Sequence, residues 1–464
     1  MLTEKYEVVI VGGGPGGYVA AIRAAQLGMS VAVIEKEHLG GICLNWGCIP
    51  TKAMLKSAEV FSIFKKAEEF GIAADNINFN LEKIINRSKK IAAQLSAGVK
   101  HLLSKHKVMV IEGVGSLQSK NKIKVVSKEQ TREITANNII LAVGARAREL
   151  EGLESDGDLI WNYKHALRPR RMPKKMLIVG SGAIGVEFAS FYNSLGCDVT
   201  VIELFERILP NEDKDIAEHA KKEFQKKGIK ILENASIESL QKKVTELVVK
   251  IQNKNGIKAE SFDTIVMATG IVGNIENIGL ETVGIKVKNH HIATTNLCET
   301  SIKNVYAIGD VAAAPWLAHK ASHEGVLVVE KISGMKVRPI DEQTIAGCTF
   351  CDPQIASIGL TEEMARERGY SVKIGRFPFI ANGKALAIGE GSGFAKTIFD
   401  TATGELLGAH LIGPEVTELV QSFALGKQLE VTDEDFIETI FPHPTLSEAI
   451  HESVLNSSDR TIHF

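Results

Sequence analysis

Two cysteines five positions apart, Cys43 and Cys48, stand in the run Gly40 to Lys52, with a lysine four residues after the second. That pattern suits a redox-active disulfide. In an unbroken α-helix, positions i and i+5 lie about 8.7 Å apart, whereas a disulfide spans no more than ~7 Å between Cα atoms. The spacing therefore demands a distorted backbone, which Gly47 and Pro50 allow. A bridge formed at such a cost is easier to reduce than a structural one, and strained bridges tend to be catalytic or regulatory. The alternative is a pair of unbridged core cysteines, and the flanking sequence has to decide between them.

Three further groups carry potential chemistry. In Phe441-Pro442-His443-Pro444-Thr445-Leu446-Ser447-Glu448, Thr445 and Glu448 have capping-box spacing for a closing helix. Glu448 is also placed to orient the His443 ring, making His443 a general-base candidate. Gly309-Asp310 follows a short apolar run, so the Asp310 carboxylate either holds a polyol or caps a helix expected over residues 318–332. Cys348 and Cys351 form a CxxC pair with no second pair to complete a zinc site, and are expected to be core residues pointing to opposite faces of a strand. No metal is expected.

The elements that position these groups can be read from periodicity. Glu7 to Val11 is a buried strand, Gly12-Gly13-Gly14-Pro15-Gly16-Gly17 follows it, a helix runs on to Gly28, and a second strand ends in Glu35. This is a dinucleotide fingerprint in its proper context: Gly12 for the turn, Gly14 for approach to a pyrophosphate, Gly17 for helix–strand closure, and Glu35 for ribose hydroxyls. The arrangement recurs at Lys175 to Val179, with Gly180, Gly182 and Gly185, and a following strand that ends in Glu203. A carboxylate there accepts from a free ribose 2′-hydroxyl and repels a 2′-phosphate, which favours NAD; Arg207 nearby pulls the other way. Buried strands ending at Gly144 and Gly270, each after a β-rich excursion, repeat the pattern and imply internal duplication.

Two long amphipathic helices are expected over residues 52–70 and 81–106, with Lys56, Lys65, Lys66, Lys89 and Lys90 on solvated faces. Residues 146–173 read as a crossover between domains. From about Gly347 the pattern becomes α+β, with turns at Asn382-Gly383 and Thr403-Gly404. With 464 residues, 44% hydrophobic and 24% charged, the chain suits several globular domains. A net charge of −2 offers nothing to nucleic acid or to an anionic membrane. Six cysteines do not make a disulfide scaffold, so a reducing, cytoplasmic compartment is expected. The start Met1-Leu2-Thr3-Glu4-Lys5 leaves no room for a leader, and no apolar run spans a membrane.

Taken in order, the first fingerprint, Cys43-x4-Cys48 with Lys52, the second fingerprint with Glu187, the Gly309-Asp310 strand and the terminal His-Pro-Thr-x-x-Glu resemble the pyridine nucleotide-disulfide oxidoreductases over essentially the whole chain. The resemblance is strongest to the branch that reoxidises dihydrolipoyl groups for 2-oxo acid dehydrogenase complexes. It implies an α/β fold: an FAD-binding domain over 1–148, an NAD-binding domain over 149–270, a central domain over 271–344 and an α+β dimerisation domain over 345–464. It assigns FAD to Gly12, Gly14, Gly17, Glu35, Gly144, Lys52 and Asp310, and NAD to Gly180, Gly182, Gly185, Glu203 and Gly270. Cys43 is then the sulfur that exchanges with substrate and Cys48 the one against the flavin. Lys52 pairs with Glu187, and His443 with Glu448 acts from the other subunit of a homodimer. The implied partners are a lipoyl domain and the acyltransferase core. Glutathione-reducing members carry arginines where Glu203 stands, and mercury-reducing members end in a cysteine pair that Thr461 to Phe464 lacks. Three positions depart from the family's usual pattern: Phe441 for a histidine, Ile271 to Asn274 for an Arg-x-Pro-Asn run, and Trp46 for a valine.

Overall fold

A computed structural model describes residues 4–464; the expectation about a leader rests partly on Met1 to Thr3, outside the described residues. Two compact units emerge. The first gathers the described residues up to Met54 with Asn80–Arg148 and Gly270–Ile340, and the second Leu55–Phe79, Glu149–Thr269 and Asp341–Phe464.

In the first unit, strand β1 (Glu4–Val11), helix α1 (Pro15–Gln26) and strand β2 (Val31–Glu35) form the expected βαβ unit. β1 lies between β2 and the strand Thr131–Leu141, both parallel to it. Met109–Glu112 extends one side, and Val305–Ala307 pairs parallel with Thr131–Leu141 on the other. The strand ending near Gly144 is longer than expected. Its first half also pairs antiparallel with Lys122–Val126, so one strand serves both the parallel sheet and the β excursion. The continuous apolar runs of β1 and β2 are buried because helices and the excursion cover both sheet faces.

The same strand order recurs in the second unit. Asp198–Ile202, Lys175–Val179 and Thr264–Met267 lie side by side in parallel, flanked by Lys230–Leu232 and Ile160–Trp161. Its excursion, Ser236–Lys242, Leu247–Asn253 and Gly256–Phe262, is a separate antiparallel sheet. The crossover region thus contributes a strand, Ile160–Trp161, as well as linking segments. After residue 345 a five-stranded antiparallel sheet is backed by the helices Val416–Gln428 and Glu448–Ser457. Thr403-Gly404 is a turn, as expected. Asn382-Gly383 is not a hairpin turn: the Asn382 side chain accepts from the Ala385 amide and N-caps the short helix Gly383–Ala387. Asn–Gly suits both roles, and here the helix won because Asn382 Nδ2 also donates to the Thr445 carbonyl.

Within this unit, one buried cation organises three carboxylates. Lys396, 1% exposed, contacts both Asp213 oxygens at 2.9 and 3.0 Å, Asp215 at 2.5 Å and Glu362 at 2.8 Å. Burial alone would raise the Glu362 carboxyl, but Lys396 and Arg366 together outweigh this and hold it below the ordinary range. That contribution is present above the unfolded carboxylate pKa and is lost as pH falls through the depressed value. Lys396→Met leaves the buried Asp213 carboxylate uncompensated and is expected to cost about 3–5 kcal/mol. A thermal melting midpoint several degrees lower checks this; an unchanged midpoint would show that the cluster contributes little. Among the described residues, no helix is long and apolar enough to cross a membrane and no group of three or more His, Cys, Asp or Glu could hold a metal ion.

Candidate active site

The predicted distortion between the cysteines is a break between two helices. Helix α2 (Gly41–Trp46) ends at Gly47, whose φ of −139° and ψ of −114° leave helical geometry, and α3 (Cys48–Lys65) begins at the second cysteine. Cys43 therefore sits mid-α2, and Cys48 at the start of α3, where exposed amides favour a negative sulfur. The segment is fixed from several sides. Asn45 Nδ2 donates to the Leu39 and Gly41 carbonyls at 3.0 and 2.9 Å, and Thr51 Oγ1 to the Gly47 carbonyl at 2.7 Å. Helix α4 (Leu81–Lys105) braces it through Ser96 on the Leu39 carbonyl at 2.6 Å, Ser88 on that of Pro50 at 3.2 Å and Arg87 on that of Ala53 at 2.8 Å.

Both cysteines are thiols here and half-buried. The Cys43 thiol donates to the Cys48 sulfur, which raises Cys43 and lowers Cys48 from the ordinary thiol value; Lys52 favours the thiolate at Cys48 as well. One helical turn separates Cys48 from Lys52, so both lie on one face of α3. The two sulfurs are thus unlike, with the Cys48 thiol lowered and the Cys43 thiol raised.

The first fingerprint builds a backbone cradle. A Cβ on Gly17 would lie 1.9 Å from the Gly12 carbonyl oxygen, so only glycine lets α1 close on β1. Gly12 has φ +110°, and Gly14 is the N-cap of α1 with no side chain capping it, leaving the helix N-terminus to meet an anion. Glu35 accepts from the Gly13 amide at 2.7 Å and from the Glu37 amide at 2.7 Å, which aims its carboxylate at the cradle. Gly144, at φ +70°, has open space where a side chain would stand. Asp310 does not cap the following helix, whose N-cap is Leu317; it lies in a 3-10 turn, and burial raises its carboxyl, with Lys320 partly opposing. Beside it Lys320 and Glu324 pair at 2.6 Å, and Glu324 accepts from the Gly309 amide at 2.7 Å. A helix N-terminus bare of side chains, an aimed ribose acceptor and a desolvated carboxyl fit the pyrophosphate, ribose and polyol of FAD.

The second fingerprint repeats this. A Cβ on Gly185 would lie 2.1 Å from the Gly180 carbonyl oxygen, Gly182 is an N-cap without side-chain capping, and Gly270 has φ +95°. Glu203 is 6% exposed and accepts from Ser181 through its amide at 2.9 Å and its hydroxyl at 2.5 Å. Its other oxygen accepts from the Phe205 amide at 3.1 Å. Ser181 is a positioning residue that the fingerprint reading passed over, since serine between the glycines carries no motif signal of its own. Glu187 is buried and accepts from the Phe350 amide at 2.9 Å. It belongs to the second unit and Lys52 to the first.

At the far end of the chain, His443 Nδ1 lies 2.8 Å from Glu448 Oε1, and the Thr445 amide donates to Glu448 Oε2 at 2.8 Å. Partial burial works against ionising Glu448, yet the Thr445 amide and His443 hold its carboxyl below the ordinary value. The His443 side chain is 77% exposed. The capping box is only half made, because the helix begins at Glu448 with Ser447 as N-cap, and the Thr445 hydroxyl donates to the Pro442 carbonyl instead. Glu448 thus makes its half of the box with one carboxylate oxygen and orients the imidazole with the other.

The departures from the family pattern also have structural accounts. Ile271–Gly273 pairs antiparallel with Ala145–Ala147, Asn274 Nδ2 donates to the Val143 carbonyl at 2.9 Å, and Arg146 reaches the Gly273 carbonyl at 3.0 Å. Phe441 stacks on His451 at 5.2 Å between ring centroids, and Trp46 closes α2. In the CxxC pair, Cys348 is on a strand and Cys351 lies beyond it, buried, so the two are not alternate strand positions.

Known proteins resemble this chain over its whole length. Residues 6–325 match the pyridine nucleotide-disulphide oxidoreductase family, and residues 345–454 match its dimerisation domain. The dihydrolipoyl dehydrogenase of Zymomonas mobilis subsp. mobilis is 51% identical, with 100% of each chain covered, and that of Rhizobium etli is 46% identical over 99% of this chain and 100% of the relative. Among solved structures, LpdA from Mycobacterium tuberculosis superposes with a TM-score of 0.90 at 27% identity, covering 97% of this chain and 99% of that one.

Proposed function

The chain belongs to the pyridine nucleotide-disulphide oxidoreductases, and on that premise we propose that it is an FAD-dependent dihydrolipoyl dehydrogenase that uses NAD. The observation that carries this reading is the pair of half-buried cysteines set at the α2–α3 break, with Lys52 one helical turn beyond the second. Whole-length identity to two enzymes of that name supports the same reading.

In the proposed cycle, His443 from a second copy of the chain takes the proton of a dihydrolipoyl thiol, because only the thiolate attacks a disulfide. The thiolate displaces Cys48 from the Cys43–Cys48 bridge and forms a mixed disulfide with Cys43. The second dihydrolipoyl thiol, its proton passing to solvent, then attacks the lipoyl sulfur as a thiolate, closing the lipoyl disulfide and releasing Cys43, which takes up the proton held by His443. Two electrons now reside on the cysteine pair. FAD, when bound, supplies the two-electron relay from that pair to NAD as hydride. Gly12, Gly14, Gly17, Glu35, Gly144 and Asp310 would hold FAD, with Lys52 placing positive charge by the flavin. Gly180, Gly182, Gly185, Glu203 and Gly270 would hold NAD.

This reading keeps the four-part division at 148, 270 and 344, with the last part making the homodimer that brings His443 and Glu448 to the partner's cysteines. The enzyme serves a 2-oxo acid dehydrogenase complex in the cytoplasm, meeting lipoyl domains and docking on the acyltransferase core. Mixing the purified yellow protein anaerobically with dihydrolipoamide and then NAD tests the assignment. NADH should appear, and NADP should be inert. Flavin that dihydrolipoamide leaves oxidised would sink the substrate, and a colourless protein that binds no flavin would sink the enzyme.

A further inference from the structure

The loop after Glu203 runs Leu204-Phe205-Glu206-Arg207-Ile208-Leu209 and contains a single cation, Arg207. Its backbone is fixed at several points: the Leu209 amide donates to Ser181 Oγ at 3.1 Å, the Ile208 amide to Glu233 at 3.2 Å, and the Asn234 amide to the Phe205 carbonyl at 2.9 Å. Leu204 and Phe205 are 67% and 58% exposed, beside the carboxylate expected to meet the adenine ribose. Arg207 lies four residues, no more than about 14 Å of chain, from Glu203. An arginine at that distance is the residue type that binds a 2′-phosphate. Here its guanidinium is occupied: Nη1 and Nη2 donate to the two Glu363 oxygens at 3.0 and 2.8 Å. Glu363 comes from the short helix Glu362–Glu367, 156 positions away in sequence. Its carboxyl is held below the ordinary value by that bond, so the pair is ionised at neutral pH.

We propose that Glu363 is a positioning residue for nucleotide choice: by gripping Arg207 at both terminal guanidinium nitrogens, it keeps the loop's only cation away from the 2′-position and leaves Glu203 to select NAD. The inference rests on the NAD assignment above. Glu203 repels a 2′-phosphate, and Glu363 withholds the one group that could neutralise that repulsion. A bidentate grip matters because two parallel bonds fix the plane and direction of the guanidinium and set its charge against a carboxylate.

Calorimetric titration of the FAD-loaded dimer with ADP and with 2′,5′-ADP isolates the effect from catalysis. Wild type should bind ADP more tightly. Glu363→Gln and Glu363→Ala should each raise 2′,5′-ADP affinity about tenfold while leaving ADP affinity unchanged, since one charge-assisted pair becomes available to the phosphate. The double variant E363Q/R207Q should lose the gain, and R207Q alone should keep the wild-type ratio. An unchanged ratio in both Glu363 variants, or a gain that survives loss of Arg207, would overturn the proposal while leaving the NAD reading intact. A wild-type preference for 2′,5′-ADP would overturn the NAD reading, and this inference with it. A purely structural pair would lower the melting midpoint without moving the ratio.

Discussion

Cys43→Ser eliminates measurable oxidation of dihydrolipoamide, a fall of more than about 10⁴-fold, because no disulfide forms and the two-step exchange has no first acceptor. Folding and flavin content stay as in wild type, since Cys43 is only half-buried and contributes to no cradle. Cys48→Ser is equally inactive, yet variants at the first cysteine also test the asymmetry of the site. Cys48 owes its lowered thiol chiefly to the bond donated by Cys43, with help from Lys52. The serine of Cys43→Ser still offers an O–H donor, whereas the alanine of Cys43→Ala offers none. The Cys48 thiolate, followed by its ultraviolet absorbance against pH, should therefore persist furthest below the ordinary thiol range in the serine variant. In the alanine variant its titration should shift to higher pH. A lowered pKa means that thiolate is retained as pH falls, so at neutral pH C43S should hold more thiolate than C43A. Equal titrations in the two variants would show that the Cys43 bond does not govern Cys48.

The second large effect is expected at His443. Replacement by glutamine should reduce kcat with dihydrolipoamide by about 10²–10⁴-fold, the range for loss of a general base. Electron transfer from NADH to an artificial acceptor, which needs no thiol deprotonation, should be untouched. A parallel loss in both assays would mean damage to the flavin site rather than loss of a base. Glu448→Gln should fall between wild type and H443Q. Its amide oxygen can still accept from His443 Nδ1, but its nitrogen cannot accept from the Thr445 amide, so the side chain loses its second anchor. Because the Glu448 carboxyl lies below its ordinary value, it stays ionised as pH falls to the unperturbed carboxylate range, and its own titration should not appear in the neutral pH–rate profile.

Much of the catalytic arrangement is local and therefore legible in the chain. The close approach at Gly17 and its repeat at Gly185 follow from short-range sterics: a side chain at either would strike a carbonyl only five residues away. A disulfide at the five-residue cysteine spacing would forbid an unbroken helix, and Gly47, one of the two residues able to allow the distortion, is where the helix breaks. The His443–Glu448 bond spans a single turn and needed no distant partner to be anticipated.

Where local sequence supports two outcomes, only the tertiary structure chose. Asn382-Gly383 became a helix cap when Asn382 also found the Thr445 carbonyl, 63 positions away. Asp310 was released from capping because the next helix starts at Ala318, and burial beside Lys320 and Glu324 then set its character. Arg207 is the sharpest case. Four residues from Glu203, it reads as a group that weakens NAD selectivity; in the fold both its terminal nitrogens bond Glu363. Composition and spacing encode which backbone turns and short-range contacts are allowed. They do not say which distant charge an arginine will meet, because that depends on how separate segments pack.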